Sequence, residues 1–469
     1  MIKMTTEEFT SLFFEMERDY KLFEVKYDDI YIWKLLRIFV YKRLEKKLYQ
    51  VGDYHPKTAS QNEILQKAKE ECIRIKHNGF KDKSAKDNIV IRHRRRMMVD
   101  GEYIEVNTNY LNEIDDRVND DNTEYIEFAF AYQFRNIQED TKLVTTSKCS
   151  VFTGKVIEKT LKNKSISECA KNLEKIVYEQ FSVELELKSL LVDQLVWFKE
   201  GYKVYKKYFA LKKPKRVYLV CSYGKEFMIQ AAHDCGAEVI EIQHGILGPD
   251  HMGYSFPYND EMHYFPDKIY VYGEYWKNVV HFPVHSGNVI VTGNPYYLHQ
   301  VNNYRDNEQD AHQVLFISSG GYGKEMSKAA CDLLRGTTEF KVVYKMHPSE
   351  FGVWHSLYDE LEILTKDEQF NKRMQVVEDG VPLYKLFATS KFIVGVNSTA
   401  LYEALAFNPE IIIMNYATLD DMEGLIQKYK LPVLANEREL LNYITTNSDR
   451  TKQLLENDYF YKDIEVVNE

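Results

Sequence analysis

From Arg216 onward the chain alternates short apolar runs with amphipathic stretches: RVYLVCSY, KEFMIQAAHDCG, AEVIEIQ, then KIYVYG and NVIVTG. This rhythm predicts strands and helices in turn. A second series opens at VLFISSGGYG and runs through KEMSKAACDLLRG, EFKVVYKMHP, a segment around MQVVEDGVPLYKLFATS, and FIVGVNSTALYEALAFNPEIIIM. The polar run VNNYRDNEQDAHQ between the two series shows little periodicity and is expected to be a linker. Earlier, apolar positions at Phe9, Leu12, Phe13, Met16 and Tyr20 and the stretch IYIWKLLRIFV predict helices over residues 1–84. A strand is expected from Asn88 to Arg92, ending in the basic run His93-Arg94-Arg95-Arg96, and another over YIEFAFAY. The long stretch ELELKSLLVDQLVWFKEGYKVYKKYFALKK has a helical period. Two separate blocks of alternating strands and helices imply two parallel α/β domains. The expected division is an N-terminal helical region at 1–84, one Rossmann-like domain at 85–300 and a second at 301–469.

A length of 469 residues allows two or three domains at roughly 150 residues each. A net charge of -10 argues against a protein whose whole surface binds nucleic acid, so any anion site must be local. The six cysteines are scattered, with no CxxC pair and no Cys/His cluster, so neither zinc nor a disulfide framework is indicated. The opening MIKMTTEEFTSLF has Thr-Glu helix-start chemistry rather than a basic segment followed by a long apolar run. A cytoplasmic location is therefore expected. The stretch IYIWKLLRIFV carries Lys34 and Arg37 and is too short to span a bilayer, although it could lie on a membrane surface.

Candidate chemistry gathers where apolar runs end. Ser398-Thr399 follows FIVGVN and opens a helix, a place where hydroxyls and N–H groups hold anions, and also an ordinary N-cap. His347-Pro348 ends KVVYKMHP, and Ser318-Ser319-Gly320-Gly321 follows VLFI, with small residues where backbone could approach a phosphate. The last loop is neither a Walker A motif nor GxGxxG. Topology puts the three on one sheet edge. In the first block, Gln243-His244-Gly245 stands at a strand end, and the same loop carries Asp250, His251 and Tyr254. Glu226 opens the helix after Cys221, where a carboxylate either favours the helix dipole or takes a proton from a hydroxyl.

The QHG run at 243–245, with KMHP at 345–348 and STALYEA at 398–404, resembles bacterial GT-B glycosyltransferases that build capsules and other surface polysaccharides. The His-Pro and Ser-Thr pair looks like that of sialyltransferases and Kdo transferases, and a similar arrangement occurs in teichoic-acid polymerases that use CDP-polyols. The resemblance covers about residues 215–415. It implies two Rossmann-like domains facing across a cleft, a nucleotide-activated sugar in the C-terminal domain and a glycan or glycolipid acceptor in the N-terminal one. The implied donor is CMP-activated Kdo or a nonulosonic acid, used without metal or other cofactor. No DxD motif occurs, so Ser318, Ser319, Gly320, Gly321, Pro348, Ser398 and Thr399 are expected at the donor phosphate, with His347 donating to it and Glu403 at the ribose. Glu226 or His244 would activate the acceptor hydroxyl, and His251, Tyr254 and Arg94 would contact the acceptor. The acidic-acidic-glycine motif of the sialyltransferases appears only as Glu378-Asp379-Gly380, in the other half of the chain. A CDP-polyol phosphotransferase of the teichoic-acid type, a UDP-sugar 2-epimerase, which shares the architecture, and a polysaccharide-binding protein without catalysis remain alternatives. No nucleic-acid partner is expected, and peripheral association with the inner face of the cell membrane is.

Overall fold

The computed structural model describes residues 4–49, 72–73, 75–93, 96–99, 102–127, 137–144, 157–161, 163–417, 419–447 and 458–468. The chain forms two compact units, Met1–Gly293 with Ile464–Glu469, and Asn294–Asp463. Each is built on a parallel sheet of Rossmann type.

The first unit opens with α1 (Thr6–Asp19), started by a capping box in which the Thr5 hydroxyl accepts from Glu8 N–H at 3.1 Å and Glu8 accepts from Thr5 N–H at 2.8 Å. Phe9, Phe13 and Met16 of α1 are buried as their spacing predicts, whereas Tyr20 is exposed. Helix α2 (Trp33–Tyr49) buries Trp33, Leu36, Val40 and Leu44 in the same core, so the stretch considered for a membrane surface spends much of its apolar face inside the protein. Two of its charged residues, Lys34 and Arg37, also point inward. Arg37 is 1% exposed and grips Glu17 with two bonds, Nε–Oε1 at 2.7 Å and Nη2–Oε2 at 2.8 Å, while donating to Met252 O at 2.6 Å. The helices α3 (Asn163–Phe181) and α4 (Lys188–Lys212) complete that layer.

Seven strands follow: β1 (Asn88–Arg92), β2 (Thr123–Glu127), β3 (Lys142–Leu143), β4 (Arg216–Val220), β5 (Glu238–Ile242), β6 (Lys268–Val271) and β7 (Val289–Val291). They pair in parallel in the order β7-β6-β5-β4-β1-β2-β3. Ile89, Ile91, Val217, Leu219 and Val239 face one core, and Val90, Tyr218, Val220, Ile240 and Ile242 face the other, so both sheet faces are covered. Helices α5 (Glu226–His233) and α6 (Glu274–Val279) follow β4 and β6. The strand expected over YIEFAFAY ends, as described, at Glu127; its remainder lies outside the described residues.

The second unit begins with α7 (Pro295–Tyr304), capped by the Asn294 side chain, which accepts from Tyr297 N–H at 3.2 Å. Its strands are β8 (Asp310–Ile317), β9 (Lys341–Lys345), β10 (Met374–Val377), β11 (Ser390–Gly395), β12 (Glu410–Met414) and β13 (Val433–Leu434), all parallel, in the order β10-β9-β8-β11-β12-β13. Helix α8 (Gly323–Gly336) follows β8, α9 (Asp359–Lys366) precedes β10, α10 (Leu383–Thr389) precedes β11, and α11 (Thr399–Ala404) follows it. The run read as a linker is mostly regular. Val301–Tyr304 is the last turn of α7, and Asp310–Gln313 is the first half of β8. That half reads as polar because Ala311 and His312 are exposed, Asp310 pairs with Lys341 at 2.5 Å, and Gln313 donates to Ser390 Oγ at 2.9 Å.

In each sheet the strand order reverses once, between β1 and β4 in the first unit and between β8 and β11 in the second. Open α/β sheets bind ligands beyond the carboxyl ends of the strands at this reversal.

Candidate functional site

In the second unit, β9, β8 and β11 are neighbours, so the loops after them share one sheet edge. Two of these loops touch. Gly320 has φ +69°, and a Cβ there would sit 3.2 Å from both His347 Nδ1 and Ser349 Oγ, so the glycine lets the β8 loop lie against the His-Pro turn. Beneath them is Glu350, fully buried, which accepts from Ser318 Oγ at 2.7 Å, from His347 N–H at 2.7 Å and from the Tyr358 hydroxyl. Helix α8 must start with Gly323 because a Cβ would fall 2.3 Å from Glu350 Oε1 and 1.9 Å from the Tyr358 hydroxyl. The buried Ser318 hydroxyl is therefore committed to Glu350 rather than offered at the edge.

His347 is exposed, and its Nδ1 accepts from Ser349 N–H at 3.2 Å. An amide can only donate, so this bond puts the proton of the neutral ring on Nε2. Pro348 is exposed beside it. Ser319 has a buried hydroxyl oxygen without a hydrogen-bond partner among the described residues, and Gly321 has open space where a side chain would be. Ser398 caps α11, its Oγ accepting from Ala400 N–H at 3.3 Å, with Thr399 next to it and half-buried. Glu403 accepts from the buried Tyr384 hydroxyl at 2.7 Å, so one of its oxygens is already bound. Glu378 holds the His-Pro loop from outside, accepting from Gly352 N–H at 2.7 Å and Trp354 Nε1 at 2.9 Å. Its carbonyl accepts from Lys345, whose ammonium is held below the usual lysine range by burial.

In the first unit the turn after β5 is stapled by Gln243. Its Nε2 donates to Gly245 O at 2.7 Å and its Oε1 accepts from Tyr272 N–H at 2.9 Å, which sets His244 at the sheet edge. The half-buried ring of His244 lies between two phenols, with Tyr254 at 3.3 Å from Nδ1 and Tyr223 at 3.5 Å from Nε2. The Tyr254 hydroxyl also donates to Glu241, fully buried on β5. That hydroxyl points inward and is not presented to an acceptor. Glu241 Oε1 accepts from Ser222 N–H at 3.0 Å, while Glu241 Oε2 and Ser222 Oγ are buried without hydrogen-bond partners among the described residues. Burial pushes the Glu241 carboxyl above the usual range.

Glu226 is likewise buried and raised by burial, an effect that the Lys34 ammonium opposes, and it accepts from Gly224 N–H at 3.0 Å. His251 keeps its ring in the same cluster, 4.7 Å from the Tyr254 ring, with Nδ1 accepting from Gly253 N–H at 3.1 Å; burial lowers it to about 4. Arg92, just before the basic run, is clamped by Asp140 at 2.5 and 3.0 Å, and Arg96, at its end, pairs with Glu127. Arg94 lies outside the described residues. Thus Glu226, His244, His251 and Tyr254 share one edge of the first unit, and Ser318 to Gly321, His347, Pro348, Ser398 and Thr399 share one edge of the second. Sequence reasoning missed Glu241 and Glu350. The signals were a glutamate in the middle of the apolar part of a strand, VIEI, and the spacing His-x-x-Glu of a capping box. Among the described residues no group of three or more His, Cys, Asp or Glu could hold a metal ion, and no helix is long and apolar enough to cross a membrane.

No family model matches the chain, and no curated protein matches it. Solved structures similar to it include a UDP-GlcNAc 2-epimerase from Methanocaldococcus jannaschii, with a TM-score of 0.49 and 11% identity over 80% of this chain and 97% of that one. Another is the Neisseria meningitidis UDP-GlcNAc 2-epimerase bound to UDP-GlcNAc, with a TM-score of 0.46 and 12% identity over 81% and 96%. Anabaena HepE in complex with UDP-glucose gives 0.43 and 11% over 80% and 93%. At these scores and identities the likeness transfers no residue and no chemistry.

Proposed function

We propose that the chain is a nucleotide-sugar enzyme of the GT-B type, the second unit holding the nucleotide phosphate and the first supplying acid–base chemistry to the sugar. The observation that carries this reading is the contact of Gly320 with His347 over Glu350, beside the strand reversal of the second sheet. It supports an anion site made of backbone N–H groups, the Ser319, Ser398 and Thr399 hydroxyls and the His347 Nε2–H, a donor set that compensates a departing phosphate without a metal.

Two fates of the sugar fit this frame. In transfer to an acceptor hydroxyl, His244 is the base, and Glu226, bound to its own helix start, supports the fold. In inversion at a sugar carbon, as in a UDP-sugar 2-epimerase, protons move on and off carbon; the buried carboxyl of Glu226, held above its usual range beside His244's edge of the sheet, favours this second reading.

Calorimetric titration with CMP, CDP, UDP and GDP tests the binding step, with one nucleotide expected to bind and His347→Ala expected to weaken it at least about tenfold. Incubation of the matching nucleotide sugars in D2O then separates the fates. Deuterium entering the sugar without acceptor marks inversion, and acceptor-dependent nucleotide release marks transfer. Failure of all four nucleotides to bind overturns the reading.

A further inference from the structure

Glu241 is expensive where it stands. It is a fully buried carboxyl on an interior strand, and the ammonium of Lys225 offsets only part of the cost of its burial. One of its oxygens has no hydrogen-bond partner there. A buried carboxylate held this way adds little to stability and invites a functional account. Its other oxygen receives the Tyr254 hydroxyl and the Ser222 N–H. Tyr254 has a single proton. When that proton goes to Glu241, the phenol oxygen can only accept from His244 Nδ1, 3.3 Å away. The Tyr223 hydroxyl then lies 3.5 Å from Nε2, a long contact that a substrate hydroxyl can displace.

We propose that Glu241 acts through Tyr254 as a positioning residue for His244, holding the imidazole proton on Nδ1 and leaving Nε2 as the base. The proposal rests on His244 being the acid–base group of the nucleotide-sugar reaction suggested above, but the arrangement itself is a property of the resting protein. The groups around the ring come from every side. Tyr223 comes from the β4–α5 turn, Tyr254 and His251 from the loop after β5, and His93, with its ring centre 6.4 Å away, from the end of β1. Glu241 is the carboxylate that reaches His244 through the Tyr254 phenol. The proton path is closed and balanced: as Nε2 takes a proton from a substrate hydroxyl, the Nδ1–H bond to Tyr254 tightens, and the imidazolium is stabilised by the carboxylate beyond it.

The test reads the ring directly, without substrate, in the full chain with isotopically labelled histidine, the His244 signal being identified by its loss in His244→Gln. The Nδ1–H tautomer is expected to dominate in the parent protein. Tyr254→Phe should move the balance to Nε2–H, and Glu241→Gln should lower the His244 inflection by about half a pH unit or more. In the Tyr254→Phe background, Glu241→Gln should have little further effect. A proton resting on Nε2 in the parent overturns the proposal. So does an equal effect of Glu241→Gln with and without the phenol hydroxyl, which would mark a merely structural carboxyl. Should Tyr254→Phe not fold, the parent tautomer and Glu241→Gln alone decide, and an unmoved inflection refutes it. A correct tautomer in a protein that binds no nucleotide would leave this arrangement standing while the functional reading falls.

Discussion

Glu350 joins the two loops of the proposed phosphate site, and its removal should be felt in both stability and binding. Glu350→Ala deletes three accepted bonds, from Ser318, His347 N–H and Tyr358. Bonds to a charged acceptor are worth about 1.5–3 kcal/mol each, while the cost of burying the carboxylate, several kcal/mol, is recovered. Water entering the vacated space can serve the Ser318 and Tyr358 hydroxyls, leaving a net loss of about 2–4 kcal/mol. With a urea slope of about 2 kcal/mol/M, the midpoint should fall by about 1–2 M. The two units need not unfold together, so the probe must be local. Of the four tryptophans only Trp354 falls within Asn294–Asp463, and it sits in the loop that Glu350 organises. The fluorine signal of a 5-fluorotryptophan at this position reports the second unit by itself. Tyr358→Phe, which removes one of the three bonds, should cost about 1–2 kcal/mol, and the two changes should couple by about 1 kcal/mol. A midpoint shift below about 0.3 M for Glu350→Ala at unchanged slope would show that Glu350 is not the tie between these loops.

Gly320→Ala should cost about 1–2 kcal/mol for the left-handed backbone and should also weaken nucleotide binding, because its Cβ would press on His347; unfolding midpoints and calorimetry on the same preparation check both. Arg37→Met should destabilise the first unit by about 3–5 kcal/mol by stranding Glu17, and the double change Glu17→Leu/Arg37→Met should recover much of that loss, as measured by denaturant unfolding. His251 stays neutral in the fold down to about pH 4, while the unfolded chain protonates it near 6.5. Between those values the unfolded state binds the extra proton, so stability should fall as pH drops from 6.5 to 4, by at most about 3 kcal/mol, and His251→Gln should lack this component in unfolding curves taken across that range.

The parallel α/β rhythm was legible because strands covered on both faces are unbroken apolar runs, as VYLV in β4 and FIVG in β11 are. The first half of β8 escaped the same reading because Ala311 and His312 are exposed and Asp310 and Gln313 pair with polar partners instead of packing as apolar side chains. Lys34 and Arg37 argued against a membrane-spanning helix and left a place on a membrane surface open. In the fold they point inward, Arg37 onto a carboxylate and Lys34 over the rings of Phe256 and Phe265, partners that are remote in the sequence and invisible to local periodicity. Strand-end loops were found from residue type alone. Which hydroxyl within a loop is spoken for, Ser318 by Glu350 and Tyr254 by Glu241, depends on contacts between elements, and no spacing rule supplies them.

The segment Ile464–Glu469 belongs to the first unit, where Val467 N–H donates to Ile114 O at 2.9 Å and Glu465 N–H donates to Thr292 O at 3.2 Å. The second unit is thus an insertion between two stretches of the first, and during synthesis it is fully translated before the other's last backbone pairings can form. A premature stop codon just after Asp463 would therefore injure the half of the protein most distant from it in reading order.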